Sequence, residues 1–269
     1  MDFKLDGKLV LVTGSTLGIG KALAAKFVEL GAHVIINGRS EANVTKAIQE
    51  LSGLSETATL YPAVCDFSSK EGVDHLLKVL DEEIKAPLDV VVNNLGIFES
   101  KKFEDITDDE WFNYFNVNVM SGVRLSRALL PRMLERNSGN IVFVASEAAI
   151  AVKPFMIHYS MTKTAQLAVS RGLAELTKGT NVRVNTVLPG PTWTEGVATY
   201  VEGMAAQQGL TPEEMRANYI KEVEPTSLLQ RFIEPEEIAN VVAFVASEAS
   251  GCINGSSVRA EGGILRSIV

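Results

Sequence analysis

Tyr159 and Lys163 stand four residues apart in a segment, residues 159–177, whose apolar spacing is helical, so both side chains fall on one helix face. The spacing permits a shared task. A lysine cation beside a phenol favours the phenolate, so the phenol can deliver a proton to a carbonyl oxygen or, once ionised, remove one from an alcohol. A second chemical feature, Thr13-Gly14-Ser15-Thr16-Leu17-Gly18-Ile19-Gly20, lies between an apolar run and a helix-like segment. Glycine permits a tight bend and close backbone approach, and the N–H groups at a helix start can receive a pyrophosphate. By itself this turn reads first as a dinucleotide site, with a structural bend as the alternative.

The surrounding chain supplies elements to position both features. Residues 8–12 read as a strand, 14–20 as a tight turn and 21–30 as a helix with Ala22, Leu23, Phe27 and Leu30 on its apolar side. Strand-like runs recur at 33–36, 59–61, 88–92, 139–144 and 182–187, with helical patterns between them, including one at 72–83 and a long one beginning near Asp109. This alternation predicts an α/β fold: a single doubly wound, Rossmann-like domain with a predominantly parallel sheet. Right-handed crossovers then bring distant motifs together beyond the strand C-termini.

Length and composition agree with one globular domain. The 269 residues are 46% apolar and 22% charged, with 21 Gly and 9 Pro dispersed along the chain, which excludes collagen-like and disordered classes. Acids outnumber bases, 33 to 25, and the formal charge of −8 disfavours a nucleic-acid footprint while leaving room for a local basic pocket. Cys65 and Cys252 are far apart, and His33, His75 and His158 are scattered, so no metal site is expected and the thiols read as free. No signal-like N-terminus or membrane-length apolar stretch is apparent, so a cytoplasmic protein with no membrane requirement is expected.

In their order along the chain, these features resemble the short-chain dehydrogenase/reductase family. The TGxxxGxG turn at 13–20 is followed by Asn93-Asn94-Leu95-Gly96, Asn118, Ser146, Tyr159-Ser160-Met161-Thr162-Lys163, Pro189-Gly190 and Glu261-Gly262-Gly263, and the similarity covers nearly the whole chain. The resemblance implies a catalytic tetrad of Asn118, Ser146, Tyr159 and Lys163. Ser146 would bind the substrate oxygen, Tyr159 would exchange the proton, Lys163 would hold the nicotinamide ribose, and Asn118 would distort its helix and position water beside Lys163. It further implies cofactor contacts from Gly14, Ser15, Leu17, Gly18, Ile19 and Gly20 in the turn, Asp66 at the adenine, and Asn93 and Gly96 beside the central strand. Tyr159 and Lys163 would join them at the nicotinamide end with Pro189, Gly190 and Thr194. Leu95 departs from the family's usual alanine and alters the neighbouring contour.

Cofactor choice turns on Asn37-Gly38-Arg39-Ser40, where the acid expected to bind an unphosphorylated ribose is missing. Arg39 can make charge-assisted hydrogen bonds to a 2'-phosphate, which favours NADP(H) and leaves NAD(H) possible. The family further implies a substrate cover, placed here at 191–232 within a domain spanning 1–269, and assembly as a homodimer or homotetramer. Phe98, Glu147, Phe155, His158 and Trp193 are candidate pocket surface, although His158, adjacent to Tyr159, should point elsewhere around the helix. The reading is an NADP(H)-dependent oxidoreductase interconverting a small-molecule carbonyl compound and an alcohol. Its alternatives are an NADP(H)-binding structural or regulatory protein, and another family reaction such as epimerisation.

Overall fold

The computed structural model describes residues 2–268, except for the side chain of Gln207. Seven strands form one parallel sheet: β1 (Leu9–Val12), β2 (His33–Gly38), β3 (Leu60–Val64), β4 (Val90–Asn93), β5 (Gly139–Val144), β6 (Val182–Pro189) and β7 (Ser257–Ala260). Their spatial order is β3-β2-β1-β4-β5-β6-β7. The order reverses beside β1, whose Val10 pairs with Val34 on one side and Val90 on the other. Such a reversal opens a crevice at the strand C-termini, where ligands bind in open α/β sheets.

Both faces of the sheet are covered, which is why its strands are unbroken apolar runs. Val10, Val12, Val34, Ile36 and Val92 pack beneath α1 (Gly18–Glu29), α2 (Glu41–Leu51) and α9 (Pro235–Ala246). The alternate residues Leu9, Leu11, Ile35, Val91 and Ile141 face the other layer, built from α3 (Lys70–Lys78), α5 (Ser121–Glu135) and α6 (Ile157–Glu175). Period-two alternation along each strand thus feeds two cores at once. β3 runs past Tyr61 to Val64 because it is an edge strand, a position that tolerates Pro62.

Two further features shape the site. Between α4 (Asp108–Tyr114) and α5, the helix widens into a π-helical segment, Phe115–Met120, which carries Asn118. Late in the chain, α7 (Glu195–Gln208) and α8 (Pro212–Val223) form a helical pair with a small core of its own around Val201, Ala205, Met215, Ile220 and Phe232. A parallel bridge between Thr192 and Ile233 closes the base of this insert. Among the described residues, no helix is long and apolar enough to cross a membrane.

Candidate active site

A groove of about 450 Å3 runs along the C-terminal ends of β1, β2 and β4, and a smaller cavity of about 200 Å3 adjoins it. They meet at Tyr159, which lines both together with Ile19, Phe98, Ala145 and Thr194. The α7–α8 insert forms one wall of the cavity through Val197, Tyr200 and Tyr219.

The glycine-rich turn builds the groove. Gly14 and Gly18 have φ of 62° and 55°, left-handed values that favour glycine. Gly20 packs so closely that a side chain there would strike the Gly14 carbonyl and approach Asn94 Nδ2 to 2.6 Å. α1 is therefore seated directly on the turn, and it begins at Gly18 rather than after Gly20. Its N-terminus is left open. Leu17 supplies no capping side chain and the first turn has no acid, whereas α2, α3, α4, α7 and α8 are each capped by a Ser or Thr hydroxyl. The Gly18 N–H instead donates to the Glu195 carboxylate, 3.0 Å away at the start of α7. A side-chain anion already sits where a dinucleotide's pyrophosphate would be received.

The rest of the groove carries polar and charged groups suited to a dinucleotide. Arg39 lies exposed at the end of β2 with no ion pair among the described residues. Asp66 lines the same end, and its Oδ1 accepts the Ser68 N–H at 2.8 Å, so the residue also braces the turn into α3. Asn37, buried at the rim, accepts the Gly14 N–H at 3.0 Å and donates to the carbonyls of Ala63 and Cys65, tying three strand ends together. Gly96 leaves room for Lys163, whose Nζ would lie 3.4 Å from a Cβ at that position. These residues fit a nicotinamide dinucleotide.

Four residues expected at the cofactor do not line the groove itself. Ser15 is fully buried, with its Oγ accepting the Asn37 N–H at 2.8 Å, so it fastens the turn to β2. Asn93 is buried against Gly122, while Pro189 and Gly190 line the smaller cavity rather than the groove. Gly14, Leu17, Gly18, Ile19 and Gly20 do line the groove, as do Arg39, Asp66, Gly96, Tyr159, Lys163 and Thr194.

At the junction, Tyr159 occupies the first turn of α6 and Lys163 the next, with the ammonium 5.6 Å from the phenol ring centre. Lys163 Nζ donates to the Val144 carbonyl at 3.0 Å. Burial pushes the Tyr159 phenol well above its ordinary range, the Glu147 carboxylate adds to that shift, and the Ser146 hydroxyl opposes it. Burial pulls Lys163 down to about 8, with Glu147 opposing. Ser146 follows β5 and opens a short 3-10 turn; its Oγ accepts the Ala148 N–H at 3.1 Å and donates to Glu147 Oε2 at 2.6 Å.

Asn118 stands behind these groups and lines neither opening. Its side chain accepts the Ile97 N–H at 2.8 Å and donates to the Ile97 carbonyl and Thr162 Oγ1, clamping the loop after β4 to α6. Its main-chain carbonyl accepts a 2.6 Å hydrogen bond from Gln166 Nε2, one turn beyond Lys163. Gln166 belongs to no motif in the sequence, although its i+3 spacing from Lys163 is a visible signal. Phe98, Glu147 and Phe155 line the cavity. His158 is buried edge-on against Tyr114, and Trp193 packs on Phe232 beneath the Arg216 guanidinium, so neither reaches it. Lys153 and Glu224 also line the cavity, and no sequence signal joined them, since they lie 71 positions apart.

The short chain dehydrogenase family model matches residues 8–205. The chain belongs to the short-chain dehydrogenase/reductase family of oxidoreductases, whose members bind nicotinamide cofactors. It is 53% identical over 268 residues to the uncharacterized oxidoreductase YvrD of Bacillus subtilis, covering both chains fully. It is 33% identical to dehydrogenase/reductase SDR family member 4 of Bos taurus, over 97% of this chain and 88% of that one. Among solved structures, L-sorbose reductase from Gluconobacter frateurii, complexed with NADPH and L-sorbose, superposes with a TM-score of 0.92 at 29% identity, covering both chains fully.

Proposed function

We propose that this protein is an NADP(H)-dependent oxidoreductase that interconverts a carbonyl compound and its alcohol, with Tyr159 as the acid and base. The observation that carries this reading is the position of Tyr159 in the shared wall of the groove and the cavity, half-buried beside Lys163 and the Ser146–Glu147 pair. A bound nicotinamide supplies or accepts the hydride. Tyr159, kept protonated by its burial, gives its proton to the substrate oxygen during reduction. The Lys163 cation stabilises the phenolate left behind, and Ser146 donates to the oxygen as negative charge gathers there. Asn118 and Gln166 hold α6 against the loop after β4, which positions Lys163. Oxidation reverses each transfer.

Arg39 and the missing acid at the end of β2 support NADP(H), as does the NADPH held by the sorbose reductase relative. The same reading makes α7–α8 a substrate cover over residues 191–232. It also makes the protein a homodimer or homotetramer, supported by exposed Phe112 and Phe115 on the α4–α5 face. Free Cys65 and Cys252 support a reducing, cytoplasmic setting.

A carbonyl screen following NADPH and NADH loss, with product identification, tests the proposal. Alcohol should form mole for mole with NADPH oxidised, and Arg39→Asp should lower kcat/KM for NADPH by about tenfold to a hundredfold while sparing NADH. Isomerisation without net NADPH consumption, or a wild-type preference for NADH, would oppose it.

A further inference from the structure

The cavity beside Tyr159 contains a buried charge cluster that carbonyl reduction alone does not require. Glu147, Lys153 and Glu224 all line it, with side chains only 8%, 12% and 7% exposed. Lys153 Nζ pairs with Glu224 Oε1 and lies 3.7 Å from Glu147 Oε1. The second oxygen of Glu224 has no hydrogen-bond partner among the described residues, and the second oxygen of Glu147 accepts a hydrogen bond from the Ser146 hydroxyl. The rings of Phe98, Phe155, Tyr200 and Tyr219 line the same cavity. Burying three charges is costly unless their remaining polar atoms are satisfied, and one oxygen of Glu224 is left open to a ligand's hydroxyl.

Resting on the proposed reductase reading, we propose that the substrate is a small, neutral polyhydroxylated ketone with a hydroxyl beside its carbonyl. The Ser146 hydroxyl has one proton, which it donates in a hydrogen bond to Glu147, whose carboxyl is pushed up by burial while Ser146 and Lys153 favour its charged form. A substrate hydroxyl next to the carbonyl can donate to Glu147 in its place, which frees the Ser146 proton for the carbonyl oxygen. A plain ketone cannot make this exchange. Hydroxyls farther along meet Lys153 and the unused oxygen of Glu224, while carbon-bound hydrogens lie on the aromatic rings. Because both its neighbours are carboxylates, the charge of Lys153 is already committed, and a substrate carboxylate or phosphate would face Glu147 and Glu224 without a free cation. At about 200 Å3 the cavity is also below the roughly 300–1,000 Å3 that houses drug-sized ligands.

The test compares kcat/KM with NADPH for D-fructose and L-sorbose, for 2-hexanone, and for 5-keto-D-gluconate. Wild type should favour at least one ketohexose over both other compounds by about tenfold or more. Glu224→Gln should narrow both preferences, raising the carboxylated ketone relative to the ketohexose by releasing Lys153. Glu147→Gln should narrow the preference over 2-hexanone, which keeps the test available if either variant folds poorly. Equal or better turnover of 2-hexanone or 5-keto-D-gluconate by wild type overturns the proposal, as do unmoved ratios in both folded variants. If such turnover is still lost in Tyr159→Phe, the reductase reading survives and only the substrate class fails; no carbonyl turnover across a broad screen defeats both.

Discussion

Lys163 and Tyr159 are driven in opposite directions by the same burial, the ammonium down to about 8 and the phenol up. Below that value the pair is a charged lysine beside a neutral phenol, the state that reduction needs. For reduction, kcat/KM should therefore fall as pH rises past about 8, with the limb set by Lys163 rather than by Tyr159. Stability carries the opposite sign. Between about 8 and the ordinary lysine value of 10.5, the unfolded chain holds more protons than the folded one, so stability should rise with pH across that window. The burial penalty is fully present below it. Denaturation midpoints measured from pH 7 to 10.5 should show this rise in wild type and a flatter profile in Lys163→Met. The same slope in both proteins would assign the titration to another group.

Among the elements, the β1–α1 unit carries the sharpest constraint, because α1 approaches the turn through Gly20. Gly20→Ala should cost about 1–3 kcal/mol in chemical denaturation and weaken NADPH binding, since the Gly14 carbonyl that blocks a Cβ is backbone and cannot step aside. At the other side of the groove, Glu195 sits at the Gly18 N–H with its charge. Glu195→Gln should tighten NADPH by removing an anion from the phosphate region, and unchanged or weaker binding in a fluorescence titration would assign Glu195 a purely structural role. The βα units were legible in the sequence because strands buried on both faces must be apolar runs and the turns between them need glycine. Side-chain direction was less legible. Asn93 and Asn94 are neighbours in one motif, yet strand alternation sends Asn93 into α5 and leaves Asn94 at the groove, while Ser15 turns inward to Asn37. The Lys153–Glu224 pair joins a loop to a helix end through tertiary folding alone, and the π-helical segment around Asn118, a distortion the family resemblance implied, leaves no mark in the apolar pattern.

Across the whole molecule, an acidic chain of net charge −8 leaves Arg39 exposed at the rim of the groove along the strand ends. That local cation, rather than the global charge, would receive a 2'-phosphate, and added salt should weaken NADPH binding more than NADH binding. Phe112, 73% exposed on α4, is a large ring for a free surface. Sedimentation should show a dimer or tetramer that Phe112→Glu shifts toward monomer; a concentration-independent monomeric wild type would remove assembly from the account. Tyr159 is proposed to exchange the substrate proton at the junction of groove and cavity. The most direct test is Tyr159→Phe, measured for kcat on the best carbonyl substrate and, separately, for NADPH affinity by fluorescence titration. Turnover should fall by about 10²–10⁴-fold with NADPH affinity nearly unchanged, whereas a folded variant retaining near-wild-type turnover would contradict the assignment.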